Sequence, residues 1–228
     1  MTISDKEMPL GPPVVDAIRK QPALVRHVGH SVLLEPLVLS HVTALWDAAQ
    51  SADSSWLYLR YGPFLSEDDL RVHVDRIAGR PDQPFFAIVP SSSGSPEGWA
   101  SFCDISPANA TIEIGSIWFS PRLQRTRAGT EALYLMLRHA FELGYHRVVW
   151  RCNALNAASV RAARRLGFTF EGIWREAEIV KGRRRDTAWF SLLESAWPPQ
   201  RANFEAWLSD SNFDRLGNAQ MSLISGAE

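Results

Sequence analysis

From Ile112 to Ala132 the chain reads IEIGSIWFSPRLQRTRAGTEA, and this stretch narrows the folds open to everything around it. Ile112, Ile114, Ile117, Trp118 and Phe119 make a run rich in β-branched and aromatic residues, the composition of a strand. Pro121 stops the run, a polar and basic loop follows, and a long helical pattern opens at Thr130, just after Gly129. Leu133, Leu137 and Ala140 share one face of that helix, and Gly144 supplies its C-cap. Residues 146–153 (HRVVWRCN) read as the next strand, so the unit is strand–helix–strand and its two strands should pair in parallel. The entry to the helix is also an anion cradle, because first-turn amides lack intrahelical partners and carry partial positive charge. The loop is therefore read as holding the pyrophosphate of a coenzyme.

The remaining elements arrange themselves around this unit. Residues 30–37 (HSVLLEPL) predict a first strand, and Ser40 caps a helix carrying Val42, Leu45 and Trp46. Residues 54–64 are dense in aromatics, and Ser66 opens a helix that ends at Gly79. Strands at 84–89 and 98–104, joined by a hairpin loop, lead into the strand at Ile112 as an antiparallel meander. A helix at 156–166 stops at Gly167, and residues 168–180 and 184–193 form a last hairpin turning at Lys181-Gly182. The expected organisation is an irregular arm at 1–30 with a short helix over 14–20, an α/β domain at 31–197, and a helical extension at 198–228. In the extension, Phe204, Trp207 and Leu208 form an apolar triplet whose partner is either its own domain or the second subunit of a homodimer.

Composition removes several classes of function. The chain has 228 residues and a formal net charge of −1, so no global basicity points to nucleic acid or to an anionic membrane. Two cysteines fit a reducing compartment better than a disulfide framework. The first residues show no apolar core of signal-peptide length, and no apolar run approaches a membrane span, so a cytoplasmic enzyme is the expectation. The six histidines are scattered without ligand spacing, which predicts no metal site. Neither G-x-S-x-G nor a P-loop pattern is present.

Four segments in order, LLEPL, IEIGSIWFSP with QRTRAGTEA, NALNAASVRAARRLGF with the following EG, and GRRRDTAWFSLL, resemble the GNAT superfamily of acyl-CoA N-acyltransferases. The likeness is greatest to its RimJ/RimL branch and covers about residues 31–193. It implies a mixed, mostly antiparallel sheet that splays, with helices on both faces, and acetyl-CoA as co-substrate in the gap. It also implies direct transfer of the acetyl group to a primary amine in a ternary complex. The acceptor would be a protein N-terminus or a small amine or amino-acid-like molecule. The family loop, Q/R-x-x-G-x-G/A, falls on Gln124, Arg125, Thr126, Arg127, Ala128 and Gly129, with Thr130 following. Arg127 stands where glycine is usual, at a cost of order 1 kcal/mol if the backbone there must be left-handed. Two readings are open: Arg127 sets positive charge near a phosphate, or the site is weakened. Taken singly, Arg125 and Arg127 also read as solvated loop charges.

The tyrosine that in many members protonates the departing thiolate is replaced by Ala163, and the RimL-like serine maps to Ser159. Asn156 maps to the residue orienting the pantetheine arm. Asn156 also reads as a helix cap, and Ser159 as a first-turn serine satisfying the backbone. Glu113 is the candidate base, with Glu35, Asp104 and Glu171 as rivals, and an amide near Trp118 or Phe119 would hold the oxyanion. Trp56, Tyr58 and Tyr61 would wall an acceptor pocket, opposite Trp174 and Arg175. Trp189 reads sooner as core, and the basic turn at 181–185 as solvated. Two other readings remain: an acyl-CoA-binding module without catalysis, and a transferase using a longer donor such as succinyl-CoA.

Overall fold

Alternation of apolar residues builds one twisted sheet whose two faces are both covered. The computed structural model describes residues 11, 13–14 and 19–223, so half of the expected arm, and residues 15–18 of its expected helix over 14–20, lie outside the described residues. Among the described residues, eight strands are arranged in the order β1-β2-β3-β4-β5-β6-β8-β7. They are β1 (His27–Val28), β2 (Val32–Pro36), β3 (Phe85–Pro90), β4 (Gly98–Ser106), β5 (Thr111–Phe119), β6 (Arg147–Asn153), β7 (Thr169–Val180) and β8 (Arg183–Leu193). The pair β5/β6 is parallel and every other neighbour is antiparallel. The architecture is the mixed, mostly antiparallel sheet expected, with the short β1 as an element the pattern did not reveal.

Among the described residues, five α-helices flank the sheet: α1 (Val42–Ala49), α2 (Glu67–Ile77), α3 (Arg127–Glu142), α4 (Ala157–Arg165) and α5 (Trp197–Leu208). Phe85 and Ala87 of β3 point into a core shared with Leu45, Leu70 and Val74 of α1 and α2. Phe86 and Ile88 point the other way, into a core shared with α3, α4 and α5. Phe204 and Trp207 of α5 are buried in that second core, where Phe204 lies 5.4 Å from the ring of Tyr134. The apolar triplet of the extension thus packs against its own chain.

The β5/β6 pair is short. Thr111, Ile112 and Glu113 face Arg147, Val148 and Val149, and no pairing between the two strands extends further. β5 continues to Phe119 against β4, while β6 continues to Asn153 against β8. Residues 114–119 and 150–153 therefore diverge and open a gap reaching from one face of the sheet to the other.

A bulge in β5 sits at the start of that gap. Between Trp99 and Ser101 of β4 lies one residue, yet their partners Trp118 and Gly115 have two between them. The extra residue reverses the alternation of the strand. Ile112 and Ile114 pack with α3, whereas Trp118, also an even position, packs with α1 and α2. Ser116 carries the irregularity at φ 50°. Gln83 Nε2 donates to its Oγ at 3.0 Å, and the Tyr61 hydroxyl donates to its carbonyl at 3.2 Å.

Two packed histidines give the fold an acid-sensitive component. Burial lowers His27 and His73 from 6.5 to about 4, helped by His139 at the first and Arg76 at the second. The unfolded chain binds these protons first, so stability should hold above pH 6.5 and fall as the pH drops toward 4. Urea midpoints at pH 7 and pH 5 test this. A midpoint that does not fall, or that falls equally in a His27→Gln, His73→Gln double variant, contradicts it.

Candidate active site

Loop 120–126 turns from the end of β5 into α3 through hydrogen bonds that fix its shape. Ser120 Oγ accepts from the amide of Leu123 at 3.2 Å and donates to Glu97 at 2.8 Å. Gln124 Nε2 donates to the Phe119 carbonyl at 3.0 Å. Thr126 is the N-cap of α3: its Oγ1 donates to the Leu123 carbonyl at 2.7 Å and accepts from the Gly129 amide at 3.0 Å. The helix therefore opens at Arg127, three residues before the expected Thr130, because a threonine cap outweighs the glycine as a start signal.

This shift corrects the reading of Arg127. As the first helical residue it needs no left-handed backbone, and the strained position is the exposed Arg125, at φ 61°. Nor does the Arg127 side chain approach the cradle. Its guanidinium donates to the Leu208 carbonyl, pairs with Asp210 at 2.7 Å, and lies 4.5 Å from the centre of the Phe213 ring. What Arg127 brings to the cradle is its backbone amide. With the amides of Thr126 and Ala128 it belongs to the first turn, where no carbonyl four residues back is available. Gly129 keeps the turn closed: a Cβ there would sit 2.8 Å from the Leu123 carbonyl oxygen and 3.2 Å from the Phe119 ring. Thr130 is occupied, donating to the Thr126 carbonyl and accepting from Arg165 at 2.9 Å.

On the same face, α4 starts beside the gap. Asn156 is its N-cap, with Oδ1 accepting from the Ser159 amide at 3.1 Å, so the capping reading of Asn156 holds for that oxygen. Ser159 does more than satisfy backbone: its Oγ accepts from Trp150 Nε1 at 3.0 Å. Burial pushes the Cys152 thiol up, and a hydrogen bond from Ser159 offsets part of that rise. Ser159 therefore stands at the open part of β6 with its hydroxyl polarised by an indole N–H.

The opposite face carries the acidic and aromatic residues. Glu113 is buried at the vertex where β5 and β6 part, and its carboxylate contacts Arg151, which also contacts Asp104. Burial pushes the Glu113 carboxyl up, and Arg151 pulls it part of the way back. Enclosed by Arg151, Gly115 and Cys103, Glu113 ties β4, β5 and β6 together rather than reaching into open space. Trp118 is likewise committed: its indole stacks on Trp56 at 4.3 Å and donates to Ser55 at 2.9 Å, leaving only its backbone for a ligand. Trp56 is 1% exposed and belongs to the core, not to a pocket wall. Tyr61, half-buried, accepts from Trp99 Nε1 at 3.1 Å while its hydroxyl holds the bulge. Tyr58 is half-buried.

The hairpin β7–β8 closes this side. Trp174 is 61% exposed and its ring lies 4.3 Å from that of Trp189, and Arg175 beside it is exposed. Lys181 donates to the Trp56 carbonyl at 2.8 Å. Glu178, which sequence reasoning passed over, accepts from Arg60 at 2.6 Å and pairs with Arg185 at 3.3 Å. Its signal was weak, an acidic residue in a strand otherwise read as solvated. Among the described residues no group of three or more His, Cys, Asp or Glu could hold a metal ion, and no helix is long and apolar enough to cross a membrane.

A family model described as an acetyltransferase (GNAT) domain matches residues 31–169. The chain is similar to a GCN5-related N-acetyltransferase from Brucella melitensis, at 39% identity and TM-score 0.88, over 90% of this chain and 95% of that one. It is also similar to RimL, a ribosomal L7/L12 alpha-N-protein acetyltransferase solved with coenzyme A. That likeness has 26% identity and TM-score 0.62, over 73% and 96% of the two chains. An uncharacterized N-acetyltransferase of Bacillus subtilis, YnaD, is 32% identical over 89 residues, 38% of this chain. The match spans about half the length of that curated relative.

The cradle makes a direct prediction. Gly129→Ala forces the Leu123 carbonyl or the Phe119 ring to move, a strain of about 1–3 kcal/mol. Coenzyme A affinity measured by calorimetry should weaken by roughly 10-fold, equivalent to about 1.4 kcal/mol. An unchanged affinity would contradict the placement of the coenzyme at this turn.

Proposed function

The chain belongs to the GNAT acetyltransferase family, and from that premise we propose that it transfers an acetyl group from acetyl-CoA to a primary amine in a ternary complex. The observation that carries this reading is the gap between residues 114–119 and 150–153, from whose two edges the chain runs on into the N-termini of α3 and α4. The amides of Thr126, Arg127 and Ala128, closed by Gly129, supply donors for phosphate oxygens, and exposed Arg125 adds positive charge beside them. Residues 114–119, unpaired toward β6, supply backbone groups to the thioester side of the gap.

Bound acetyl-CoA supplies an activated acyl carbonyl and a thiolate leaving group. The chain's own residues have three tasks. The amine must lose its proton, and α-amino groups, with pKa near ~8, do so far more readily than alkyl amines. Glu113, ion-paired with Arg151, and Glu178, ion-paired with Arg60 and Arg185, are the two carboxylates of this face that could accept that proton, directly or through water. An amide of the open edge of β5 near Trp118 or Phe119 stabilises the oxyanion. The Ser159 hydroxyl, held by Trp150 Nε1, gives its proton to the departing sulfur.

RimL, acting on a protein N-terminus according to its description, makes such an N-terminus one acceptor class to test. Ser159→Ala should slow the single-turnover chemical step by roughly 10²-fold, with acetyl-CoA affinity little changed. A full rate in that variant removes the proton-donor role. Thiol release from acetyl-CoA with a panel of amines tests the reading as a whole: coenzyme binding without acceptor-dependent release would identify a binding module instead.

A further inference from the structure

The chain continues past the matched family domain, which ends at residue 169, and its C-terminal segment folds back onto the start of α3. Arg127 is the point of contact. As the first residue of α3 its backbone belongs to the coenzyme cradle, while its guanidinium is directed to the C-terminal segment. It donates to the carbonyl of Leu208, the last residue of α5, pairs with Asp210 at 2.7 Å, and lies 4.5 Å from the centre of the Phe213 ring. Carbonyls of a last helical turn lack intrahelical partners and favour a cation, so this side chain joins the N-terminus of α3 to the C-terminus of α5. The segment that receives it is itself well fixed. Asn212, 1% exposed, donates to the Trp207 carbonyl at 2.8 Å and accepts from the Met221 amide at 2.7 Å. α5 also braces the second helix of the coenzyme face. Arg165 of α4 lies over the Trp207 ring, 5.6 Å from its centre, while donating to Thr130 at 2.9 Å.

We propose that Arg127 is a positioning residue for the coenzyme: its side chain clasps the C-terminal segment and so holds the first turn of α3 in the geometry that binds phosphate oxygens. A first turn lacks the donor-side hydrogen bonds of a helix interior, so it is the part of α3 that most needs outside support. Thr126 caps it from one side. Arg127 supplies the second hold, and a cavity of about 310 Å³ on that side, beside His30, Glu131 and Asp210, leaves no packed core to replace it. The coupling is reciprocal: whatever the clasp adds to coenzyme binding, bound coenzyme adds to the docking of the C-terminal segment. The inference rests on the placement of the coenzyme at this turn and extends the cradle to a part of the chain outside the matched domain.

Calorimetric affinity for coenzyme A, measured on the full chain and on Arg127→Gln, Arg127→Lys and Asp210→Asn, tests it. Arg127→Gln should weaken binding by roughly 10-fold. In steady-state acetylation that loss should fall on the KM for acetyl-CoA, with kcat and the acceptor KM within about 2-fold of the parent. Arg127→Lys, which keeps the charge but not the forked donors, should recover part of the affinity. Asp210→Asn separates the clasp from direct charge recognition. Removing that carboxylate releases the Arg127 charge, so a guanidinium acting on phosphate would bind coenzyme more tightly, whereas the clasp predicts weaker binding. Asp210 is 72% exposed, so its variant reads the clasp even where Arg127→Gln does not fold. Coenzyme A should also slow hydrogen exchange at the bonded amides of Ser209, Asn212 and Phe213 in the parent, but not in Arg127→Gln. Unchanged affinity in Arg127→Gln, tighter binding in Asp210→Asn, or no added protection at these amides in the parent overturns the inference. The expected affinities without acceptor-dependent thiol release support the clasp and remove the transferase reading alone. A parent that binds no coenzyme A overturns both.

Discussion

The Ser116 bulge is the constraint on which the site depends. A left-handed serine costs about 1–2 kcal/mol, and hydrogen bonds from Tyr61 and Gln83, each contributing about 1 kcal/mol, hold it in place. The extra residue has two effects. It turns Trp118 into the core beneath α1 and α2, where the Trp56 stack anchors it, and it sends Ile117 and Phe119 toward α3. It also lies just beyond the last residue of β5 that pairs with β6, so one edge of the strand is open where the two diverge. Without the bulge, Phe119 would not stand against Gly129 and the cradle would lose one wall.

The gap lets the two faces do different work. On the α3/α4 face the groups are donors: first-turn amides with Arg125 beside them, and a serine polarised by Trp150. On the other face the groups are charged: the Glu113–Arg151–Asp104 cluster at the vertex, and Arg60, Glu178 and Arg185 at the hairpin. A buried ion pair is weak evidence of net stability, but removing one partner leaves an uncompensated charge, so the vertex cluster fixes geometry more than it adds stability. The C-terminal segment contributes from outside the gap. It engages Arg127 through Leu208, Asp210 and Phe213, which places a structural role where charge recognition was expected.

The meander, the parallel β5/β6 pair, the last hairpin and the main helices were readable because period and cap signals agreed, as with Ser66 accepting from the Asp69 amide. The family segments also pointed to the correct loop. What pattern could not show were events of one residue. Nothing in SIWF announces a bulge, and unbroken alternation would put Trp118 on the face of Ile112 and Ile114, whereas it packs with α1 and α2. The choice between Thr126 and Gly129 as the start of α3 turned on a side-chain hydrogen bond. Trp56 looked like a pocket residue because sequence shows aromatic density but not which core it fills.

The central claim is that the divergence of β5 and β6 is the reaction cleft. A crystal structure of the chain with coenzyme A bound tests it most directly. The account predicts diphosphate oxygens at the amides of residues 126–129 and the sulfur between residues 114–119 and 150–153, within reach of Ser159 Oγ. Coenzyme bound outside the gap, or β5 and β6 paired along their whole length in the complex, would contradict it.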